Sequence, residues 1–145
     1  MGLVNSIRYR ISLSLRALNR VRYRIANVKV GKDVFISLGA HIDTSYPGSI
    51  EIGDGTYITR GAKLVAHDHS VYRLGDMPAD NGRGYIRIGK NVFVGVGSIV
   101  LRNVTVGDNA IISAGSVVGK DVPANTIVMG NPARVIKEFT PRQEL

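Results

Sequence analysis

Residues 88–123 read IGKNVFVGVGSIVLRNVTVGDNAIISAGSVVGKDVP. Counting in sixes from Ile88 reaches Val94, Val100, Val106, Ile112 and Val118, every one a branched aliphatic. The fourth residue after each is Val92, Ser98, Val104, Ala110, Ser116 and Val122, all small or β-branched. Glycine often follows the aliphatic directly, at Gly89, Gly95, Gly107 and Gly119. Repeating units in one phase predict a parallel β-helix, an all-β solenoid. Each unit supplies a short strand and a tight turn, with the aliphatic pointing into a narrow prism. Glycine takes turn conformations that a Cβ would disfavour. Three units close one coil, and no coil buries its own apolar face, so stability comes from stacking. Periodicity leaves the hand open; the usual rule for parallel crossovers favours a right-handed turn.

Working outward, Val30, Ile36 and Ile42 carry the same phase, with Val34 and Ala40 in the small positions. Asp43–Ser49 then interrupts, and Pro47-Gly48 is a strong turn pair. The phase resumes at Ile52, Ile58 and Leu64, with Thr56 and Ala62 beside them. Residues 70–84, SVYRLGDMPADNGRG, lack the pattern and read as an excursion loop that leaves after His69 and returns at Tyr85. About four coils are expected (30–51, 52–69, 88–105 and 106–123) within a β-helix over residues 28–123. Residues 124–145 form a C-terminal extension, in which Asn131–Phe139 covers the last coil as a short strand or helix.

Residues 1–27 read as an N-terminal helical arm. Ile7, Ile11, Leu15, Leu18, Val21 and Ile25 recur at steps of three or four, although Ile7–Leu15 also alternates as a strand would. Arg8, Arg10, Arg16, Arg20, Arg22 and Arg24 supply six of the net +8 charges, with no acid among residues 1–26. The arm is expected to cap the open end of the solenoid or pack on a neighbouring subunit. The sharper alternative is contact with an anionic membrane surface. Charge confined to the arm, with no interleaved aromatics on the repeat, argues against nucleic acid as partner. The chain has no cysteine, which excludes disulfides, Cys-zinc sites and a thiol nucleophile. No apolar run approaches bilayer length. Arginine interrupts every candidate signal core, so the expected location is cytoplasmic or peripheral to the inner membrane face.

The repeat, Ser113-Ala114-Gly115-Ser116, the Lys120-Asp121-Val122-Pro123 exit and the Gly130-Asn131-Pro132-Ala133 tail together resemble the hexapeptide-repeat acyltransferases. Within these the chain is most similar to sugar and polysaccharide O-acetyltransferases, over roughly residues 28–139. The resemblance implies a left-handed β-helix, a homotrimer with sites between subunits, and acetyl-coenzyme A as donor. It carries donor contacts onto Val96, Gly97, Ala114 and Gly119, and contacts to the coenzyme phosphates onto Lys120 and Arg134, with Lys137 adding to them. Cations suit that task physically, while the plainer readings are repeat packing for the small residues and surface charge for the cations.

Leu64-Val65-Ala66-His67-Asp68-His69-Ser70 holds two of the three histidines. Acetyl transfer from a thioester to a hydroxyl needs a base, and imidazole titrates near neutrality. The His-Asp-x-Ser string of polysaccharide acetyltransferases matches His67, whereas counting from the inward Leu64 matches the simple-sugar enzymes at His69. Both point to one side of an extended chain; His67 is preferred, with His69 as alternative base or substrate contact. Asp68 is a candidate to orient an imidazole or hold substrate. The loop, with Tyr72, Arg73, Asp76 and Asp80, is expected to shape acceptor choice. The simple-sugar enzymes carry an asparagine where this chain has Thr59-Arg60-Gly61-Ala62. The acceptor expected is therefore a sugar hydroxyl of a surface polysaccharide or its lipid-linked precursor. Competing readings are N-acetylation of an amino-sugar, a metalloenzyme of the γ-carbonic anhydrase type, and a non-catalytic scaffold. A metal site would need His41 beside His67 and His69, and none is expected.

Overall fold

The computed structural model describes residues 14, 17–73, 75 and 78–142 of the 145-residue chain. The first part of the arm, with Ile7, Ile11, Leu15, Arg8, Arg10 and Arg16, lies outside the described residues, as does Asp76.

Strands come in triplets. They are β1 (Lys29–Val30), β2 (Phe35–Ile36) and β3 (His41–Ile42), then β4 (Ile50–Ile52), β5 (Tyr57–Ile58) and β6 (Lys63–Leu64). After a 3₁₀ turn over His69–Arg73 follow β7 (Ile86–Ile88), β8 (Phe93–Val94) and β9 (Ile99–Val100). The last triplet is β10 (Val104–Val106), β11 (Ile111–Ile112) and β12 (Val117–Val118). Each strand pairs in parallel with its equivalent in the next triplet. The result is a three-sided prism with sheets β1-β4-β7-β10, β2-β5-β8-β11 and β3-β6-β9-β12. β13 (Thr126–Gly130) adds to the second sheet on β11, and β14 (Ala133–Glu138) folds back antiparallel on it. The extension therefore covers the last coil as strands, with a cis Asn131-Pro132 bond in the connecting turn.

Every inward residue counted in the repeat is buried, from Ile36 and Ile58 at 0% exposure to Val30 at 9%. The six small partners from Val92 to Val122 are buried as well. Filling the prism takes one large and one small side chain per unit because three sheets meet at close quarters, and small residues let the corners tighten. The corners impose their own chemistry. Asp33, Gly55, Asn91, Asn109 and Asn125 stack at one edge with φ of 50–70°, the left-handed region that asparagine and glycine tolerate best. There Asn109 Nδ2 donates to Asn125 Oδ1 at 2.8 Å. Gly61, Gly97 and Gly115 line the next edge with φ of +73°, +67° and +69°.

Two excursions break the eighteen-residue coil without breaking the stack. Val30 pairs with Ile52, and Ile52 with Ile88, so the two inserts are absorbed at one corner. That corner joins the third sheet to the first. Residues 43–49 and the loop beyond His69 leave the prism there, one above the other, and bring their side chains together.

A helix over residues 17–25 covers the first coil. It does so with a face the apolar spacing does not mark. Asn19 and Tyr23 are buried, while Leu18, Val21 and Ile25 are 65%, 49% and 77% exposed. The cause is the open end of the ladder, whose terminal carbonyls have no next coil to serve them. Asn19 Nδ2 donates to Ile36 O and Ser37 O, Tyr23 Oη to Ala40 O, and Arg24 to Val30 O. Unpaired backbone carbonyls select donors over aliphatics. No helix among the described residues is long and apolar enough to cross a membrane.

Candidate active site

At the corner of the two inserts, β6 ends at Leu64 and the chain runs on through Val65, Ala66 and His67. Asp43 follows β3 one rung away, its N–H donating to Leu64 O at 2.9 Å. Its carboxylate is buried, and it accepts from Ser45 N at 2.9 Å and from Ala66 N at 3.0 Å. Its Oδ2 also meets His67 Nδ1. A carboxylate only accepts, so Nδ1 carries the proton, and in the neutral ring Nε2 then keeps its lone pair. Burial on its own raises the Asp43 carboxyl. Hydrogen bonds from Ser45 and the His67 bond and charge outweigh it, and hold the group below the ordinary carboxylate value.

The His67 side chain is 26% exposed, so its free edge is open. It opens into a cleft of about 400 Å³ that Val65, Leu101, Arg102 and Gly119 also line. Gly119 is informative. Its φ is not positive, and an added Cβ would meet only Leu101 Cδ1 at an ordinary 3.6 Å. The fold does not demand glycine there, whereas a narrow ligand channel beside His67 would. Gly97 is the reverse case: its φ of +67° accounts for it without a ligand.

Lys120 and Arg134 line a second cleft of about 230 Å³ one step along, between the end of the third sheet and β14. Val96, Gly97 and Ala114 sit elsewhere, at the edge between the second and third sheets. The two-residue strand β9 separates them from the corner of His67 and Gly119. Val96 is 57% exposed there. The six donor residues expected from the sequence thus form two groups on opposite edges of one face. Lys137, on β14, pairs in register with Ile127 of β13.

His69 begins the 3₁₀ turn, exposed, with its ring 4.7 Å from that of His67 and 5.8 Å from Tyr72. No carboxylate reaches it among the described residues. Asp68, the residue expected to orient an imidazole, instead turns back on its own loop. Its Oδ1 accepts from Ser70 N at 2.8 Å, and Ser70 holds the carboxyl below its ordinary value. Asp43 takes the orienting position in its stead. Tyr72 and Arg73 are exposed on the loop. His41 lies on the third sheet, paired in register with Lys63. Among the described residues no three His, Cys, Asp or Glu side chains gather into a metal-binding group.

Three contributors escape a reading of the sequence. Asp43 opens the first insert, Tyr46 lies within that insert, and Arg83 is near the end of the second. Tyr46 meets the His67 ring edge-on at 6.1 Å, and the Arg83 guanidinium lies 4.7 Å from the Tyr46 ring centre. The one available signal was an acid placed directly after an inward isoleucine at the start of an insert.

The bacterial transferase hexapeptide (six repeats) family model matches residues 85–120. Protein CapG of Staphylococcus aureus is 44% identical over 131 residues, covering 89% of this chain and 76% of that protein. A hexapeptide-repeat acetyltransferase of Vibrio cholerae, solved with acetyl-coenzyme A, superposes with a TM-score of 0.67 at 26% identity. That match covers 79% of this chain and 62% of the other. The polySia-specific acetyltransferase NeuO gives 0.68 at 30% identity, over 81% of this chain and 57% of NeuO. Serine acetyltransferases are also among the relatives, and the chain spans 55% or less of their length. The chain belongs to the hexapeptide-repeat transferase family and is an acyltransferase.

Proposed function

We propose that this protein is an acetyl-coenzyme A-dependent O-acetyltransferase acting on a sugar hydroxyl of a surface polysaccharide or its precursor. The observation that carries the reading is the Asp43–His67 pair opening into the same cleft as Gly119. In this mechanism His67 Nε2 removes the proton as the sugar oxygen attacks the thioester carbonyl. The tetrahedral intermediate collapses, the carbon–sulfur bond breaks, and the imidazolium returns its proton to the departing thiolate. Asp43 is a positioning residue: it holds the tautomer and offsets the imidazolium charge as it forms. A positioned base of this kind is worth about 10²- to 10⁴-fold. His69 then serves as a substrate contact.

In the same reading the donor's phosphates lie by Lys120 and Arg134 and its arm runs past Gly119 toward His67. Val96, Gly97 and Ala114 serve the donor of an adjacent subunit, because they lie on the far edge of the face. A trimer with shared sites supplies that second edge. The outer face of the second sheet suits such contacts: Phe35, Tyr57 and Phe93 form an outward column, with Phe35 and Tyr57 stacked at 4.0 Å. The family likeness favours the left hand for the coil over the general crossover rule. The likeness to the polySia-specific acetyltransferase NeuO favours a polysaccharide acceptor. The test is calorimetric titration with acetyl-coenzyme A. One site per chain is expected, weakened about ten-fold by Lys120→Ala or Arg134→Ala, the order of one charge-assisted phosphate contact. No binding at millimolar donor removes the proposal.

A further inference from the structure

The two inserts enclose a groove of about 660 Å³ whose walls include Tyr46, Arg83, Tyr85 and Arg87; it adjoins His67 through Tyr46, whose ring meets the imidazole edge-on at 6.1 Å. Its charges are not alike. Arg87 faces Glu51 at 3.5 Å and donates to Ser49 O at 2.7 Å, so it is spent on the scaffold. Asp80 is paired with Arg102 at 2.7 Å, which ties the loop to the third coil. Arg83 differs from both. Among the described residues its guanidinium makes no ion pair and no side-chain hydrogen bond, and it lies over the Tyr46 ring. It is also held in place: Arg83 and His67 are partners in an antiparallel bridge, with Asp68 N donating to Gly82 O at 2.8 Å alongside.

A guanidinium held over an aromatic face keeps N–H donors available and loses little freedom on binding a planar or tetrahedral anion. Here Arg83 lines a groove with two tyrosine rings, and the ring it lies over, Tyr46, also meets the imidazole that must meet the acceptor hydroxyl. We infer that Arg83 is a specificity-determining residue that selects an acceptor bearing a negative charge, a carboxylate or a phosphate, close to the hydroxyl that is acetylated. Tyr46 holds Arg83 and His67 at a set distance, so the charge and the hydroxyl of one sugar unit are read together. The inference rests on the acetyl-transfer reading for the identity of the acceptor. The anion site itself stands on the geometry of the groove.

The test measures binding of three probes to the coenzyme A-loaded full-length protein: methyl glucuronide, glucose 1-phosphate and neutral methyl glucoside. Amide shifts of Tyr46, His67 and Arg83 serve as the readout. At least one anionic probe is expected to bind about ten-fold more tightly than the neutral one, the order of a charge-assisted hydrogen bond. The preference should shrink as salt is raised. Whichever anion is preferred tells carboxylate from phosphate. Arg83→Gln should abolish the preference, Arg83→Lys should restore part of it, and neither should change the affinity for acetyl-coenzyme A. Equal binding of the three probes, no binding of any, or a preference that survives Arg83→Gln overturns the inference. Failure of acetyl-coenzyme A itself to bind is a separate result, and counts against the donor reading alone.

Discussion

Asp43→Asn is the substitution whose consequences the structure specifies most fully. The carboxylate accepts three hydrogen bonds, from Ser45 N, Ala66 N and His67 Nδ1. Asparagine has one acceptor oxygen. Ala66 is fully buried, so the amide oxygen stays on that side, where His67 also lies, and the amide nitrogen faces the Ser45 N–H. His67 therefore keeps an acceptor and its tautomer, but loses the charge. A hydrogen bond to a charged group contributes about 1.5–3 kcal/mol and a neutral one about 1, so about 0.5–2 kcal/mol is lost. Felt in the transition state, where the imidazolium forms, that lowers kcat about two- to thirty-fold. The mismatch at Ser45, which is exposed to water, costs about 1 kcal/mol of stability, or about 2–4 °C in Tm for a chain of this size. The assay is coenzyme A release at saturating donor, with calorimetric binding of acetyl-coenzyme A and a thermal melt run in parallel. Donor affinity should hold within about two-fold, since Asp43 lines neither donor cleft. An unchanged kcat with the Tm drop intact would refute the reasoning and leave Asp43 a purely structural acceptor. A fall in donor affinity matching the fall in kcat would do the same, by showing collapse of the site.

The remaining predictions concern neighbouring groups. His67→Ala should lower kcat by about 10²- to 10⁴-fold, while His69→Ala, which has no orienting carboxylate, should cost less than about ten-fold; steady-state rates of the two variants decide between them. The acid limb of stability follows from the depressed Asp43 carboxyl. Such a group stabilises the fold fully above its unfolded value, about 4, and the contribution is lost as pH falls through the lower folded value. Melts of Asp43→Asn should thus show a weaker dependence below about pH 4 than those of the parent protein. Three glycine-to-alanine changes should separate packing from binding. Gly95→Ala sets a Cβ 2.6 Å from Ala114 N and Ile112 O and should cost about 1–3 kcal/mol. Gly97→Ala meets no atom within 4 Å but carries a φ of +67°, and should cost about 1–2 kcal/mol. Gly119→Ala should leave Tm within about 1 °C, as a tolerated surface change would, and weaken acetyl-coenzyme A binding; an unaltered affinity would argue against the channel.

Much of the fold could be read from the chain because a solenoid is nearly one-dimensional. Ile88, Val94 and Val100 face inward for the same local reason that Val106, Ile112 and Val118 do: each unit repeats one turn of chain. The interruptions at 43–49 and 70–84 could be located by loss of phase, and the histidine pair stood out beside the second. The helix shows where such reading stops. Its apolar spacing pointed to Leu18, Val21 and Ile25, yet Asn19, Tyr23 and Arg24 meet the coil. What lay opposite was a row of unpaired carbonyls, a property of the stacked end and not of the helix.

The periodic residues by themselves determined the prism, its inward and outward sides, and the small set of side chains with chemistry to offer. Only the tertiary structure decided how those side chains combine. Asp43 and His67 are twenty-four residues apart, and Arg83 lies sixteen beyond His67. They meet because both inserts leave the coil at one corner and the coils then stack with their register kept. That an imidazole meets Asp43 and not Asp68, and that this imidazole is His67, turns on which rung lies against which. Adjacent residues on a turn point apart, whereas equivalent positions on stacked coils are one strand spacing from each other.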